Sequence, residues 1–212
     1  MTDAARLILF APAESDTAQL CAQLAPLVEA VRFDAVILPV MGDDDRARIN
    51  HAKSVAAVVQ KHNAALLLVD AFELVARTGA DGVHLSNLTR LSEALSVLKP
   101  LERIVGVAGL KARHDAMEAA EAGADYVMFG EPRADGSIPV ASAVIERADW
   151  WAELFQTPCV AFASDREMAV PLAETGAEFV AFSPSILATA EDKVAALKDL
   201  YAEIRAAQRP ER

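Results

Sequence analysis

The sequence predicts an α/β fold, a single-domain (β/α)8 TIM barrel, from a recurring motif, the spacing of its copies, and the alternation of strand and helix patterns. In the motif, a glycine stops an Ala-rich helical run, and an acid then opens an apolar run of strand length. Copies lie at 79–85, 123–130 and 176–183, with a degenerate copy at 32–39. We therefore expect one barrel over residues 1–207 and a frayed tail over 208–212.

The spacing of the acids gives the number of strands. Asp34, Asp81, Asp125 and Glu178 follow one another at intervals of 47, 44 and 53 residues. A strand–helix step with short loops takes about 20 to 25 residues, so each interval holds two steps. Four double steps give about eight strands, as in the barrel.

The individual elements follow in order from the apolar runs and their breakers. Strands are predicted at 7–10, 34–40, 65–69, 82–85, 104–108, 126–129, 159–162 and 179–182. Helices are predicted at 16–30, 46–62, 88–98, 112–122, 165–174 and 185–205, with shorter helical pieces ending near 75 and spanning 149–155. The stretch 131–141 contains Pro132, Gly136 and Pro139 and is predicted as the longest irregular loop. Strands that alternate with helices predict a parallel sheet.

Composition limits the classes of partner. The chain has 212 residues, 53% of them hydrophobic, and a net charge of −11. This charge argues against nucleic acid and anionic membranes as partners, because phosphate backbones need a basic surface. A small phosphorylated molecule needs only local donors and remains a candidate partner. Cys21 and Cys159 lack metal-ligand spacing, and residues 1–6 lack the pattern of a signal peptide, so we expect a reduced, cytoplasmic protein.

The barrel prediction sorts residues between two faces. Function is found at the carboxyl ends of the strands, and the opposite face serves stability. The four acids precede their strands and are therefore predicted to be structural. Side-chain alternation places six large residues on the helix side, namely Val83, Val127, Val180, Leu85, Phe129 and Phe182.

The other side of the strands faces the barrel interior. Its uppermost layer is small, consisting of Ser86, Gly130 and Ser183, which leaves room for a ligand. His84 lies one layer lower. It is either a hydrogen-bonded core residue or a ligand contact.

The segment 79–85, with Asp70 upstream, resembles the thiamine phosphate synthase family. Family members read roughly GADGVHLGQ here and GADYVGFGPVFPT later, where this chain reads GADGVHLS and GADYVMFGEP. The resemblance spans about 66–186. It implies a transferase of thiamine biosynthesis that joins a pyrimidine diphosphate to a thiazole phosphate and releases pyrophosphate, with Mg²⁺ as cofactor.

The resemblance implies a metal-binding acid at Asp70, but several expected residues are missing. The family's second metal-binding acid would fall near Thr89 and is absent here. The family's Gln-x-Arg-x-Lys cluster after the second strand is replaced by residues 37–41. The fifth-strand serine is Ala108, and 131–136 lacks the family's Thr and Lys. A leaving pyrophosphate needs cations and donors, so these losses bear directly on catalysis.

Other residues could replace those that are missing. Asp43, followed by two more acids, either binds Mg²⁺ or favours a helix N-terminus. Lys111, Arg113 and Arg133 either supply cations from the fifth and sixth loops or are simply solvated.

A phosphate site is predicted over the last two strands. Backbone N–H groups at short helix N-termini can bind phosphate there. The candidate residues, with those of the small top layer, are Ser86, Gly130, Ala163, Ser164, Ser183 and Ser185. Asp165 would oppose an anion, and helix capping is the alternative.

Three functions remain open from the sequence. The first is a synthase, with His84, Lys111 and Arg133 as catalytic candidates. The second is the related thiazole tautomerase branch, which uses a histidine after the fifth strand; His114 is the nearest one here. The third is a barrel without catalysis that acts as a phosphate-ligand sensor or partner protein. A homodimer is one possible assembly.

Overall fold

Eight parallel strands form a closed barrel in chain order in the computed structural model, which describes residues 6–133 and 135–208. Strand β8 pairs with β1 and closes the ring. The strands are β1 Leu7–Phe10, β2 Ala35–Leu38, β3 Ala65–Val69, β4 Gly82–Leu85, β5 Ile104–Val107, β6 Tyr126–Phe129, β7 Cys159–Ala163 and β8 Phe179–Phe182. The predicted (β/α)8 barrel is confirmed.

Helices follow each strand and form the outer layer. They are α1 Thr17–Ala30, α2 Asp45–Val59, α3 Val75–Thr78, α4 Leu91–Leu98, α5 Arg113–Ala122, α6 Ala141–Leu154, α7 Arg166–Glu174 and α8 Lys193–Ala207. Aspartates cap four of them, since the side chains of Asp16, Asp44, Asp165 and Asp192 accept N–H groups of the first turn. Short 3₁₀ turns lie at Gln60–His62, Phe72–Leu74, Leu88–Arg90, Lys99–Leu101 and Pro184–Leu187.

The predicted helices differ from the structure chiefly at α6 and at the end of the chain. The piece predicted to end near 75 continues to Thr78, and the predicted helix 88–98 begins as the 3₁₀ turn Leu88–Arg90. Helix α6 begins at Ala141 rather than near 149, because Val144, Ala148 and Trp151 form one buried stripe at helical spacing. The predicted helix 185–205 is two elements, a 3₁₀ turn and then α8. Asp192 separates them, because its side chain accepts the N–H groups of Val194 and Ala195 and so starts a new helix.

The strand side chains divide between an outer and an inner core, as predicted from alternation. The six predicted helix-facing residues all lie in the layer between sheet and helices. The barrel interior holds a separate cluster that includes Ile8, Leu67, Tyr126, Met128 and Phe162. The carboxyl ends of the strands therefore surround an interior filled mainly by apolar side chains.

The four acids of the repeated motif make the same contact at the amino ends of the strands. Each carboxylate accepts the backbone N–H at or beside the start of the preceding strand. The pairs are Asp34 with Leu7 at 3.2 Å, Asp81 with Leu66 at 2.8 Å, Asp125 with Val105 at 2.7 Å, and Glu178 with Cys159 at 2.7 Å. These acids are structural, as their position in the barrel predicted.

The two ends of the described chain meet beside the barrel. The Gln208 Oε1 atom accepts the Arg6 N–H at 3.1 Å, so Gln208 is tied to the start of β1. The rest of the predicted tail, 209–212, lies outside the described residues. Within those residues, no helix is both long enough and apolar enough to cross a membrane.

Candidate active site

Asp70 and Ser86 are joined by two hydrogen bonds at the carboxyl ends of the strands. The Ser86 N–H donates to Asp70 Oδ1 at 2.8 Å, and the Ser86 hydroxyl donates to Oδ2 at 2.6 Å. Asp70 has a φ of 53°, a left-handed conformation that is uncommon outside glycine. Its own N–H donates to the His84 carbonyl at 3.0 Å, which holds this turn against β4.

His84 lies directly below that pair, inside the barrel. Its Nδ1 atom is 2.7 Å from the Tyr126 hydroxyl, and the two rings stack with their centroids 5.9 Å apart. Gly106 lies between them on β5, in register with both residues. A Cβ atom at Gly106 would come within 1.9 Å of Tyr126 Cζ, so the missing side chain makes room for the ring.

Burial controls the ionisation of this pair. It lowers the pKa of His84 to about 4, although the Asp70 carboxylate acts in the opposite direction. Burial also raises the pKa of Tyr126 far above its ordinary value. His84 is therefore a neutral, hydrogen-bonded core residue near pH 7, and a catalytic role for it stays a prediction.

The interior beside His84 is aromatic. The Phe10 ring meets the His84 ring edge-on at 5.7 Å and the Phe162 ring edge-on at 6.0 Å. Phe10 ends β1 and is only partly buried, whereas His84 and Phe162 are buried. A ligand entering from the strand ends would therefore meet an aromatic surface below the polar rim.

The predicted cations stand on neighbouring loops at the same end of the barrel. Lys111 follows β5 and Arg133 follows β6, and both are exposed. Within the described part of the chain, the Lys111 ammonium makes no ion pair, and the Arg133 guanidinium donates to the Ser137 hydroxyl at 3.1 Å. Arg113 is less available, because it pairs with Glu146 at 2.8 Å and covers the Trp150 ring.

His114 lies on the exposed surface of helix α5, in its first turn. The loop between β5 and α5 separates it from the strand end. The structure does not bring it together with Asp70, Ser86 or His84 through any contact among the described residues.

Glu131 is a residue of this end that sequence reasoning passed over. Its Oε1 atom accepts the Gly109 N–H at 2.6 Å, and its Oε2 atom is buried without a partner among the described residues. Burial raises the pKa of Glu131, while the N–H groups of Gly109 and of Glu131 itself and the guanidinium groups of Arg147 and Arg133 act against that rise. The available signal was an acid immediately after β6, where the resembling family has proline.

The three consecutive acids after β2 do not assemble as a ligand set. Asp44 caps α2 through the Ala47 N–H at 2.7 Å, and Asp45 pairs with Arg77 at 3.1 Å. This leaves Asp43, which is exposed, as the remaining member. Across 6–133 and 135–208, no three His, Cys, Asp or Glu side chains are grouped so that they could hold a metal ion.

The predicted phosphate site lies at the ends of β7 and β8. Ala163 is buried, whereas the Ser164 hydroxyl donates to Asp165 Oδ2 at 3.0 Å. The Ser183 hydroxyl caps the following 3₁₀ turn by accepting the Ser185 N–H at 3.5 Å. Asp165 itself caps α7 through the Met168 N–H. The helix-capping alternative is thus what the side chains do, and phosphate binding stays a prediction.

Gly130 completes the small layer, with a φ of 100° at the end of β6. Together the elements place three groups around one end of the barrel. Asp70 and Ser86 lie over β3 and β4, Lys111 and Arg133 over β5 and β6, and the serine turns over β7 and β8.

Comparison with known proteins gives a consistent result. The family model for thiamine monophosphate synthase matches residues 7–186. A thiamine-phosphate synthase of Rhodospirillum centenum is 34% identical over 183 residues, covering 85% of this chain and 88% of the relative. One from Erythrobacter litoralis is 33% identical over 176 residues, covering 79% and 80%.

Solved structures agree on the fold. A thiamine phosphate pyrophosphorylase from Pyrococcus furiosus superposes with a TM-score of 0.75 at 18% identity, over 97% of this chain and 98% of the other. A 3-hexulose-6-phosphate synthase from Salmonella typhimurium gives 0.71 at 14% identity, over 97% and 100%. At such identities the likeness concerns the barrel alone.

Proposed function

The chain belongs to the thiamine monophosphate synthase family, and we propose that it joins a pyrimidine diphosphate to a thiazole phosphate, forming thiamine phosphate and pyrophosphate. The observation that carries this proposal is the family match over 7–186, together with relatives of that activity that align over most of both chains. The predicted function in thiamine biosynthesis rests on the same match.

The proposed reaction requires positive charge beside the leaving pyrophosphate. The bond between the pyrimidine's carbon and the diphosphate oxygen breaks, its electron pair leaves with pyrophosphate, and a carbon–nitrogen bond to the thiazole forms. Charge develops on the leaving oxygen, so fixed cations nearby lower the barrier. Lys111 and Arg133 are the exposed cations on the loops over β5 and β6 that can supply this charge.

The thiazole and pyrimidine rings require an apolar surface. The edge-on arrangement of Phe10, His84 and Phe162 provides one below the rim. A neutral His84 suits this task, because a charged imidazole would have to be desolvated there. We assign His84 to the shape of the pocket through its bond to Tyr126 and leave proton transfer out of its role.

Magnesium fits this site only as an ion shared with the substrate. Mg²⁺ is commonly bound by one or two carboxylates plus substrate phosphates. Asp70 is placed for this, and its two oxygens retain lone pairs beyond the two bonds from Ser86. When bound, the ion would offset the charge of the diphosphate. Ser86 would hold the Asp70 carboxylate in its orientation, as outer groups do for metal ligands.

A second candidate function is ligand binding without turnover. The engagement of Asp70 by Ser86 and the absence of a second acid at Thr89 favour it. In that case the barrel would bind the same phosphorylated molecules as a sensor or partner protein. A cytoplasmic location and a homodimer remain predictions for either function.

One assay distinguishes the two functions. The purified protein is incubated with both substrates and Mg²⁺, and thiamine phosphate and pyrophosphate are measured together with the thermal unfolding midpoint. Synthase activity requires equal amounts of the two products, abolished by EDTA and lowered, but still measurable, in Lys111→Ala. A raised midpoint without product would establish binding alone. Neither product nor shift would contradict both functions.

A further inference from the structure

The loop after β5, residues 109–112, is joined to the loop after β6 by one side chain. Glu131 reaches back across the gap, and its Oε1 atom accepts the Gly109 N–H at 2.6 Å. Gly109 has a φ of 68°, and a Cβ atom there would lie 2.1 Å from the Ser86 carbonyl oxygen. The loop is thus pressed against the turn that bears Ser86 and held there by Glu131.

Two further side chains hold the outer part of this loop. Arg147 donates to the Leu110 carbonyl at 2.7 Å and to the Lys111 carbonyl at 3.3 Å. Asp115 Oδ2 accepts the N–H groups of Lys111 at 2.8 Å and Ala112 at 3.0 Å. The backbone of a four-residue loop is therefore bonded on both sides, and the Cα atom of Lys111 has a fixed place.

Glu131 makes this contact at an energetic disadvantage. Its second oxygen is buried without a partner among the described residues, and a buried acceptor that makes no hydrogen bond costs stability. A neutral acceptor of the same length can also accept the Gly109 N–H. Stability alone therefore does not account for this side chain, which lies at the functional end of the barrel.

We propose that Glu131 is a positioning residue, which fixes the loop carrying Lys111 so that the ammonium faces the pyrophosphate as it forms. This role rests on the proposed synthase function. Misplacement of a catalytic group by about 1 Å can cost roughly a hundredfold in rate, so a loop braced along its backbone matters. Glu131 acts through Lys111 and does not itself touch the substrate.

The kinetic test compares Glu131→Leu, which removes the acceptor but keeps the volume, with Glu131→Gln, which keeps an oxygen for the Gly109 N–H. We expect Glu131→Leu to lower kcat/KM about tenfold to a hundredfold and Glu131→Gln to stay within about threefold of wild type. In a Lys111→Ala background, Glu131→Leu should add less than about twofold, because the group it positions is gone. Glu153→Ala, at an exposed acid of α6, is the control for charge.

Two kinetic results would overturn the proposal. The first is a kcat/KM in the double variant that is lowered by the product of the two single-variant losses, which would mean that Glu131 does not act through Lys111. The second is a kcat/KM of Glu131→Gln that is as low as that of Glu131→Leu. Should Glu131→Leu not fold, Glu131→Ala takes its place in the same comparison.

Hydrogen exchange separates this proposal from the assigned reaction. Amide exchange over residues 106–116 should accelerate at least about tenfold in Glu131→Leu and remain at the wild-type rate in Glu153→Ala. An unchanged exchange rate would show that Glu131 does not hold the loop after β5, even if the enzyme is active. If wild type forms no thiamine phosphate but exchange is accelerated in Glu131→Leu, the synthase function is refuted, whereas the role of Glu131 in holding the loop is retained.

Discussion

The Tyr126 hydroxyl and the His84 Nδ1 atom lie 2.7 Å apart because Gly106, on the strand between them, has no side chain. The contact therefore joins β4 to β6 across the glycine of β5 in the barrel interior. It fills the space below the candidate active site with two stacked rings and fixes the ring that faces Phe10. The packing below the candidate active site therefore depends on the glycine at position 106.

The first prediction concerns Gly106→Ala. Its new methyl group would overlap Tyr126 Cζ, so we expect a loss of about 1–3 kcal/mol in the free energy of unfolding. The measurement is urea denaturation. The same loss should persist in a Tyr126→Phe background, which keeps the ring, and vanish in a Tyr126→Ala background. Equal losses in both backgrounds would show that the ring is not what excludes the methyl group.

The second prediction is the pH dependence that His84 gives to stability. Its pKa is lowered from 6.5 to about 4, so the fold favours the neutral ring. The resulting stabilisation is complete above pH 6.5 and is lost as the pH falls towards 4, by roughly 3 kcal/mol at 1.36 kcal/mol per pKa unit.

The measurement for His84 is the difference in unfolding free energy between wild type and His84→Gln at several pH values. The carboxylates titrate alike in both proteins, so their contributions to the pH dependence cancel in that difference. A difference that stays flat between pH 7 and 4 would mean that His84 keeps its ordinary pKa.

The third prediction contrasts acids at the two ends of the barrel. Asp81 accepts the Leu66 N–H at 2.8 Å and the Gln60 amide at 2.9 Å at the amino ends of the strands. We expect Asp81→Ala to lose about 1–3 kcal/mol of stability with unchanged kcat/KM below its unfolding temperature. Asp70→Asn, which tolerates the left-handed backbone and keeps an acceptor for the Ser86 N–H, should do the reverse, with little change in stability and about a hundredfold lower kcat/KM. Similar activity losses in both variants would contradict this division of roles.

The fourth prediction concerns Asp165, whose negative charge stands beside the predicted phosphate site. Asparagine caps a helix as well as aspartate, so Asp165→Asn should keep the bond to the Met168 N–H. Removing the charge should tighten inorganic phosphate binding by up to about fivefold, equivalent to roughly 1 kcal/mol. Titration calorimetry measures the affinity. The matched control is Asp44→Asn, at the cap of α2, and an equal gain there would place the phosphate elsewhere.

Most of the barrel was predictable because its signals are local. A glycine, an acid and a short, mostly apolar run mark β4, β6 and β8, and the acid and apolar run alone mark β2. Alternation then assigns the faces of each strand. The start of α6 was missed because Pro139 and Gly136 obscured a buried stripe that begins at Val144. The predicted final helix is too long because Asp192 caps a new helix that begins at Lys193.

The site was less predictable because its contacts join distant residues. Lys111 was predicted from its place after β5 and Asp70 from the family resemblance, but the contact from Glu131 to Gly109 joins residues 22 positions apart. The contact between His84 and Tyr126 spans 42 and depends on the register of three strands. A single sequence gives strand positions and leaves strand register undetermined, so such pairs emerge only in three dimensions.

The carboxylate contacts at the amino ends of the strands have a consequence for how the chain acquires its fold. Each joins residues only 15 to 27 positions apart, whereas closure of the barrel must bring β8 back to β1. Short loops close at a smaller entropic cost than long ones. We therefore expect β1–β2, β3–β4, β5–β6 and β7–β8 to form first as four local units, with ring closure between β8 and β1 as the late, slow step.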